Sequence, residues 1–232
     1  VPDAVVLVST VKALKYHVGV SKDKIFDENF EAYMRGFENL DKHYENLKKY
    51  GVSVVVCLNR YHTDTDEEIE MFKKHCEEKG YLCAISTAYV DGSLGAMDLA
   101  NKVLSCEKGD FHFLYSLEDS IVDKIKTICQ EIYGAKEVHI SDEILEKIRI
   151  FENNGKSNLP VCVAKTQYSF SDDAKKLGVP KDFEVTVKDI RLYGGANFIT
   201  VLLGDIMVMP GLSRKPNFEI IDVVDGEIVN LS

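Results

Sequence analysis

The sequence predicts an α/β protein: part of a parallel, doubly wound sheet followed by a smaller α+β region. Three observations lead there. Short unbroken apolar runs alternate with helical periodicities from residue 4 to about residue 105. The helical stretches stop at glycines or start at polar caps. After "CEKGD" (106–110) the order changes to two helices and then four β-rich stretches.

The elements follow in order. "AVVLVS" (4–9), "VSVVVCLN" (52–59) and "YLCAIS" (81–86) have the pattern of strands buried on both faces of a parallel sheet. Between residues 27 and 50, Phe30, Met34, Phe37, Leu40, Tyr44 and Leu47 recur every three or four positions, and Gly51 supplies the stop. Ile69, Phe72 and Cys76 mark a second helix over 66–79 that ends at Gly80, and a third helix is expected over 93–105. A helix over 119–133 carries Ile121, Ile125, Ile128 and Ile132 on one stripe. Another, over 142–153, starts after the N-cap Ser141 and turns Ile144, Leu145, Ile148 and Phe151 inward. "LPVCVAK" (159–165), "FEVTVKDIRLY" (183–193), "NFITVLLGDIMVM" (197–209) and "FEIIDVVDGEIVNL" (218–231) are β-rich, with the "DG" at 225–226 as a hairpin turn. The expected division is 1–107 and 108–232. Val1 is not a methionine and a strand opens within a few residues of it, so the pattern predicts preceding sequence that completes the sheet.

Composition mainly excludes. The net charge of −10 argues against a groove for the phosphate backbone of a nucleic acid, which needs clustered Lys and Arg. No apolar run approaches the ~20 residues of a membrane span, and no secretion signal is present, so a cytoplasmic protein without a membrane partner is expected. Six dispersed cysteines form no C-x-x-C, so neither a zinc site nor a disulfide framework is predicted. The six histidines are also dispersed, and the adjacent His75-Cys76 reads as an ordinary helix neighbourhood.

Two loops carry polar residues where a ligand would bind in an open parallel sheet, beyond the carboxyl ends of the strands, and two later stretches draw notice by composition. In "NRYHTDT" (59–65), Asn59 and Asp64 are candidate partners for a ligand's ring or amide, and Tyr61 is an aromatic face with a polar tip. The plainer reading is a helix-capping loop. "STAYVDGSLGA" (86–96) has two glycines, but it matches neither G-x-x-x-x-G-K-[ST] nor G-x-G-x-x-G. Its Tyr89 would stand beside Tyr61 if the two strands are neighbours, as a pair for a flat heterocycle or as two core tyrosines. "AKTQYSFSDDAKKLG" (164–178) places Lys165 and Gln167 in a surface loop or an interdomain cleft. In "IMVMPGLSRKP" (206–216) the methionines read as core, and Arg214-Lys215 as an anion site or a solvated turn.

"PDAVVLVSTVKALKYH" (2–17), "NRYHTDT", "LPVCVAKTQYSFSDD" (159–173) and "DIMVMPGLSRKP" (205–216) closely resemble the formate–tetrahydrofolate ligase family. The resemblance implies a P-loop-type α/β fold and a ligase that makes 10-formyltetrahydrofolate from formate, tetrahydrofolate and ATP with Mg²⁺, by way of formyl phosphate. A monovalent cation and a homo-oligomer are further expectations. It implies that the chain is a carboxyl-terminal portion, with the phosphate loop and the catalytic residues upstream of Val1. The family reads N-x-F-P-T-D at the first loop and S-E-V-W-A-K-G-G-E-G-G at the second, with the Phe and Trp around the pterin. Those positions are Tyr61 and Tyr89 here, and Ile85 and His62 join them as expected folate contacts. Val18 replaces a family glycine, and "VDGSLGA" (90–96) replaces A-K-G-G-E-G-G. Two other readings stay open: a binding or assembly module that has lost catalysis, and a GTPase-like fold using Asn59 and Asp64, whose spacing is one residue too long for N-K-x-D.

Overall fold

The computed structural model describes residues 2–204, 206 and 214–230. Strands β1 (Ala4–Ser9), β2 (Ser53–Asn59) and β3 (Leu82–Ser86) form a parallel sheet in the order β1-β2-β3. The register pairs Ala4 with Ser53 and Val55 with Leu82. Parallel neighbours need crossovers, and helices α2 (Phe30–Lys48) and α3 (Asp66–Lys79) supply them. A short helix α1 (Val11–His17), which the periodicity did not suggest, follows β1. Its N-cap Thr10 accepts from the Ala13 N–H at 3.1 Å.

Only β2 is buried along its length. Val54, Val55, Val56, Cys57 and Leu58 are all within 5% exposure, whereas Val8 is 59% exposed and Leu82 37%. Three apolar runs of equal hydrophobicity thus have unequal burial, because β1 and β3 are the edges and neighbours decide what an edge covers. In α2 the inward stripe is Tyr33, Phe37 and Leu40, while Met34 is 54% exposed, one position off the expected register. Gly36 lets α1 approach: a Cβ there would lie 2.4 Å from the Leu14 carbonyl oxygen. Ile69, Phe72 and Cys76 of α3 complete this core with Val11, Leu14, Val56 and Leu58.

The expected third helix begins as two short turns, α4 (Ala88–Asp91) and a 3₁₀ turn (Gly92–Ala96), before α5 (Met97–Leu104). Further on, α6 (Ile121–Thr127) continues as a π-helical turn to Tyr133. Cys129, four residues beyond Ile125 and on the same face, joins Ile121 and Ile125 in the core, whereas Ile128 does not. Helix α7 (Asp142–Asn153) is capped by Ser141 and buries Ile144 and Ile148.

The remaining strands make three small sheets. β4 (Glu137–His139) pairs in parallel with β6 (Glu184–Thr186). β8 (Phe198–Leu202) lies between β5 (Val161–Ala164), parallel to it, and β7 (Asp189–Tyr193), antiparallel. The β-rich run 183–193 is therefore split between two sheets. An exposed hairpin of β9 (Asp222–Val224) and β10 (Glu227–Val229) closes at Asp225-Gly226, with φ of 52° and 85°. The methionines at 207 and 209 and the Pro210-Gly211 pair lie outside the described residues; Arg214 and Lys215 are exposed.

The second core gathers Ile121, Ile125, Ile148, Val185 and Val201. Helix α2 links the two cores: Asn39 donates to the Gly178 carbonyl at 3.1 Å and Asn46 to that of Ile132 at 2.7 Å. Among the described residues no helix is long and apolar enough to cross a membrane.

Candidate functional site

The loop after β2 is built by its own side chains. Asp64 accepts from the Tyr61 N–H at 2.8 Å, and burial raises its pKa against that bond. Thr65 caps α3: its Oγ accepts from the Glu68 N–H at 3.2 Å, and Glu68 accepts from the Thr65 N–H at 3.0 Å. The other oxygen of Glu68 pairs at 2.5 Å with Lys15 of α1, both side chains 2% exposed, and Lys15 also donates to the Asp27 carbonyl at 2.8 Å. Arg60 bonds Asp66 at 2.8 Å, and its N–H reaches the Ser86 carbonyl at 3.0 Å, tying the loop to the end of β3. Tyr61 therefore leaves a turn braced from three elements. The ammonium of Lys12, in α1, stands 3.8 Å from its ring centroid, within cation–π range. Nothing in the spacing of "VKALK" marks Lys12; it comes here because α1 starts at the end of β1.

Tyr89 stands in α4, just past β3, and is 94% exposed. The adjoining turn closes through the Thr87 N–H to the Gly95 carbonyl at 3.1 Å. Gly95 is needed for that closure, since a Cβ would fall 2.5 Å from the Thr87 carbonyl carbon. Asn59, Arg60, Tyr61, His62, Tyr89 and Val90 line one cavity of about 300 Å³ at the carboxyl ends of β2 and β3. Of the residues expected there, Tyr61, His62, Tyr89 and Asn59 line it. Asp64 spends a carboxylate oxygen on the loop itself, and Ile85 packs against the α2–α3 core.

Lys165 and Gln167 are elsewhere. They line a cavity of about 260 Å³ between the two halves, with His17, His43, Asn46 and Tyr133. Sequence spacing gave no reason to join His17 to His43; helices α1 and α2 bring them together. His75 is a structural side chain: it bonds Asp41 at 2.8 Å and stacks on Phe37 at 4.2 Å. Among the described residues, Glu137, His139 and Glu184 bring ligand-type atoms within 4.8 Å of one another, all exposed. His139 and Glu184 are bonded to each other at 2.6 Å, an ion pair on the face of the β4–β6 ribbon.

This geometry is a cleft with aromatic side chains at the ends of parallel strands, in a chain whose full length, residues 1–232, matches the family model for formate–tetrahydrofolate ligase. The chain belongs to the formate–tetrahydrofolate ligase family. Within that family assignment, the mixed α/β architecture with parallel sheets is the one the sequence predicted.

Proposed function

We propose that this chain forms the folate-binding part of an ATP-dependent ligase that joins formate to tetrahydrofolate by way of formyl phosphate, giving 10-formyltetrahydrofolate. The observation that carries this reading is the cavity shared by Tyr61 and Tyr89 in a chain of this family. A pterin is flat and aromatic, and two tyrosine faces bind such a ring by offset stacking with their hydroxyls left to water. Lys12 already occupies one position over the Tyr61 ring, so the pterin takes the remaining face or displaces the ammonium. Asn59 and Arg60 supply hydrogen-bonding groups for the heterocycle's edge, and His62 borders it. Ile85 and Asp64 act by fixing the strand and the loop from which the tyrosines leave.

Neither phosphate-loop motif occurs in the chain. We therefore assign ATP and Mg²⁺ mainly to residues outside it, in a P-loop-type doubly wound sheet that continues beyond the described β1 edge. Residues 1–107 belong to that domain and 108–232 to a separate α+β domain. A cytoplasmic homo-oligomer that uses a monovalent cation, with no nucleic-acid or membrane partner, completes the reading. Stabilising a transferring phosphoryl group needs positioned charge, so the 232-residue chain alone forms no 10-formyltetrahydrofolate.

Tyr61→Ala and Tyr89→Ala, made in the ligase that contains this chain, test the proposal. The tetrahydrofolate KM rises several-fold to about tenfold for each, because a lost stacking contact is worth about 0.5–1.5 kcal/mol. The ATP KM stays unchanged. An unchanged tetrahydrofolate KM in both variants rejects the site. One observation favours a second reading, a module without catalysis: "VDGSLGA" (90–96) lacks the lysine and glutamate of the family pattern. Full folate affinity with no turnover in the complete protein would support it.

A further inference from the structure

The cavity between the two halves holds positive charge with no negative partner. Lys165 donates to the carbonyls of Thr166, at 2.9 Å, and Ser169, and stands 5.0 Å from the Tyr133 ring centroid and 5.9 Å from that of Phe170. Among the described residues no carboxylate pairs with it, and burial pushes its pKa down to about 8. Two imidazoles line the same space. Burial, and then the charge of Lys165, lowers His17 below its usual 6.5. His43, packed 4.6 Å from Phe170, is pushed down to about 4 by burial and then by its neighbours His17, Lys165 and Lys42.

Two polar atoms there have no partner. His17 Nδ1 is buried without a hydrogen bond. Asn46 is 6% exposed, gives its Nδ2 to the Ile132 carbonyl, and leaves Oδ1 buried and unpartnered. A buried polar atom left in this state costs about 1–3 kcal/mol, and natural structures keep few of them. About 260 Å³ is room for roughly eight or nine water-sized heavy atoms. Leu7, Leu47 and Ile132 make the rest of the lining apolar, which strengthens any charge interaction inside.

We propose that this cavity binds a small oxyanion that carries an O–H or N–H donor. The oxyanion sits against Lys165 and the imidazoles of His17 and His43, and the donor bonds Asn46 Oδ1. The site is separate from the Tyr61–Tyr89 cleft and does not depend on the reading given for it. No lone charge or lone donor satisfies all the groups: an anion without a donor leaves Asn46 Oδ1 bare, and a neutral donor leaves Lys165 unpaired.

The test is NMR of the histidine ring C–H signals in the 232-residue chain, assigned through His17→Gln and His43→Gln. Three probes are titrated: glycolate, an oxyanion with a donor; acetate, an oxyanion without one; and acetamide, a neutral donor. Glycolate is expected to shift the His17 and His43 signals to saturation, acetate to bind about tenfold more weakly for the loss of one buried hydrogen bond, and acetamide to give no saturation. Lys165→Met is expected to abolish the glycolate response. If that variant does not fold, the ranking of the three probes on the unmodified chain decides. Shifts that stay linear for all three up to roughly a hundred millimolar would show a cavity holding water only and overturn the proposal. So would saturation that persists in a folded Lys165→Met variant, or equal affinity for glycolate and acetate.

Discussion

Lys124 is fully buried, and its three N–H bonds go to the carbonyls of Leu117, Ser157 and Leu159, at 2.6, 2.6 and 3.2 Å. One cation thus replaces the water that three turn carbonyls would otherwise keep. Lys124→Met keeps the stem but orphans all three, and each orphan costs about 1–3 kcal/mol. Thermal or urea unfolding should show a loss of at least about 3 kcal/mol, against less than about 0.5 for the exposed Lys126→Met. His43 makes a pH prediction. Its folded pKa of about 4 lies below 6.5, so the unfolded chain takes up the proton first as pH falls. Stability should therefore fall as the pH drops from 6.5 towards 4, by less than the full shift would give because more than a third of the residue is open to solvent, and urea midpoints of His43→Gln should fall less over that range. His139 has the opposite sign: Glu184 raises its pKa above 6.5, so the pair's stabilisation is full below that pH and disappears as pH rises through the folded value. Neither lysine nor histidine revealed this in the sequence. A residue's letter does not say whether three carbonyls or a phenyl ring will surround it.

Helix α3 was, like α7, fully legible, with the expected and observed limits both at 66 and 79. Its signals are local: a capping Thr65, the Glu68 three residues on, a 3.6-residue stripe and a terminal glycine. Helix α1 was illegible because seven residues hold too few turns for a period, and β1 and β3 looked as buried as β2 because hydrophobicity does not report which edge of a sheet lacks a cover. At the candidate cleft, Tyr61 and Tyr89 could be paired from sequence, because parallel neighbours place their following loops side by side. Lys12 could not. The buried Lys15–Glu68 pair joins α1 to α3 and also holds the cap of the loop that carries Tyr61. Glu68→Ala strands a buried ammonium and should cost about 3–5 kcal/mol, whereas Lys15→Met with Glu68→Leu should cost much less. Denaturant midpoints of the two variants check this; equal losses would show that packing, not charge, is what Glu68 supplies.

At the scale of the whole molecule, two hydrophobic cores are joined by one face of α2, and two of the cavities differ in chemistry. One is aromatic and lies at the ends of β2 and β3; the other is cationic and lies between the halves. The change in element order near residue 106 was readable because α/β alternation leaves a regular trace. The cationic cavity was not, because its lining comes from residues 7 to 170, and only folding brings them together. The central claim is that the aromatic cleft receives the folate. Calorimetric titration of tetrahydrofolate into the 232-residue chain, and into a Tyr61→Ala/Tyr89→Ala variant with an unchanged unfolding midpoint, tests it most directly. The account predicts saturable binding by the unmodified chain and a loss of affinity of ten- to a hundredfold in the double variant, the product of two stacking contacts. Equal affinity in the two proteins, or no binding to the unmodified chain, would contradict it.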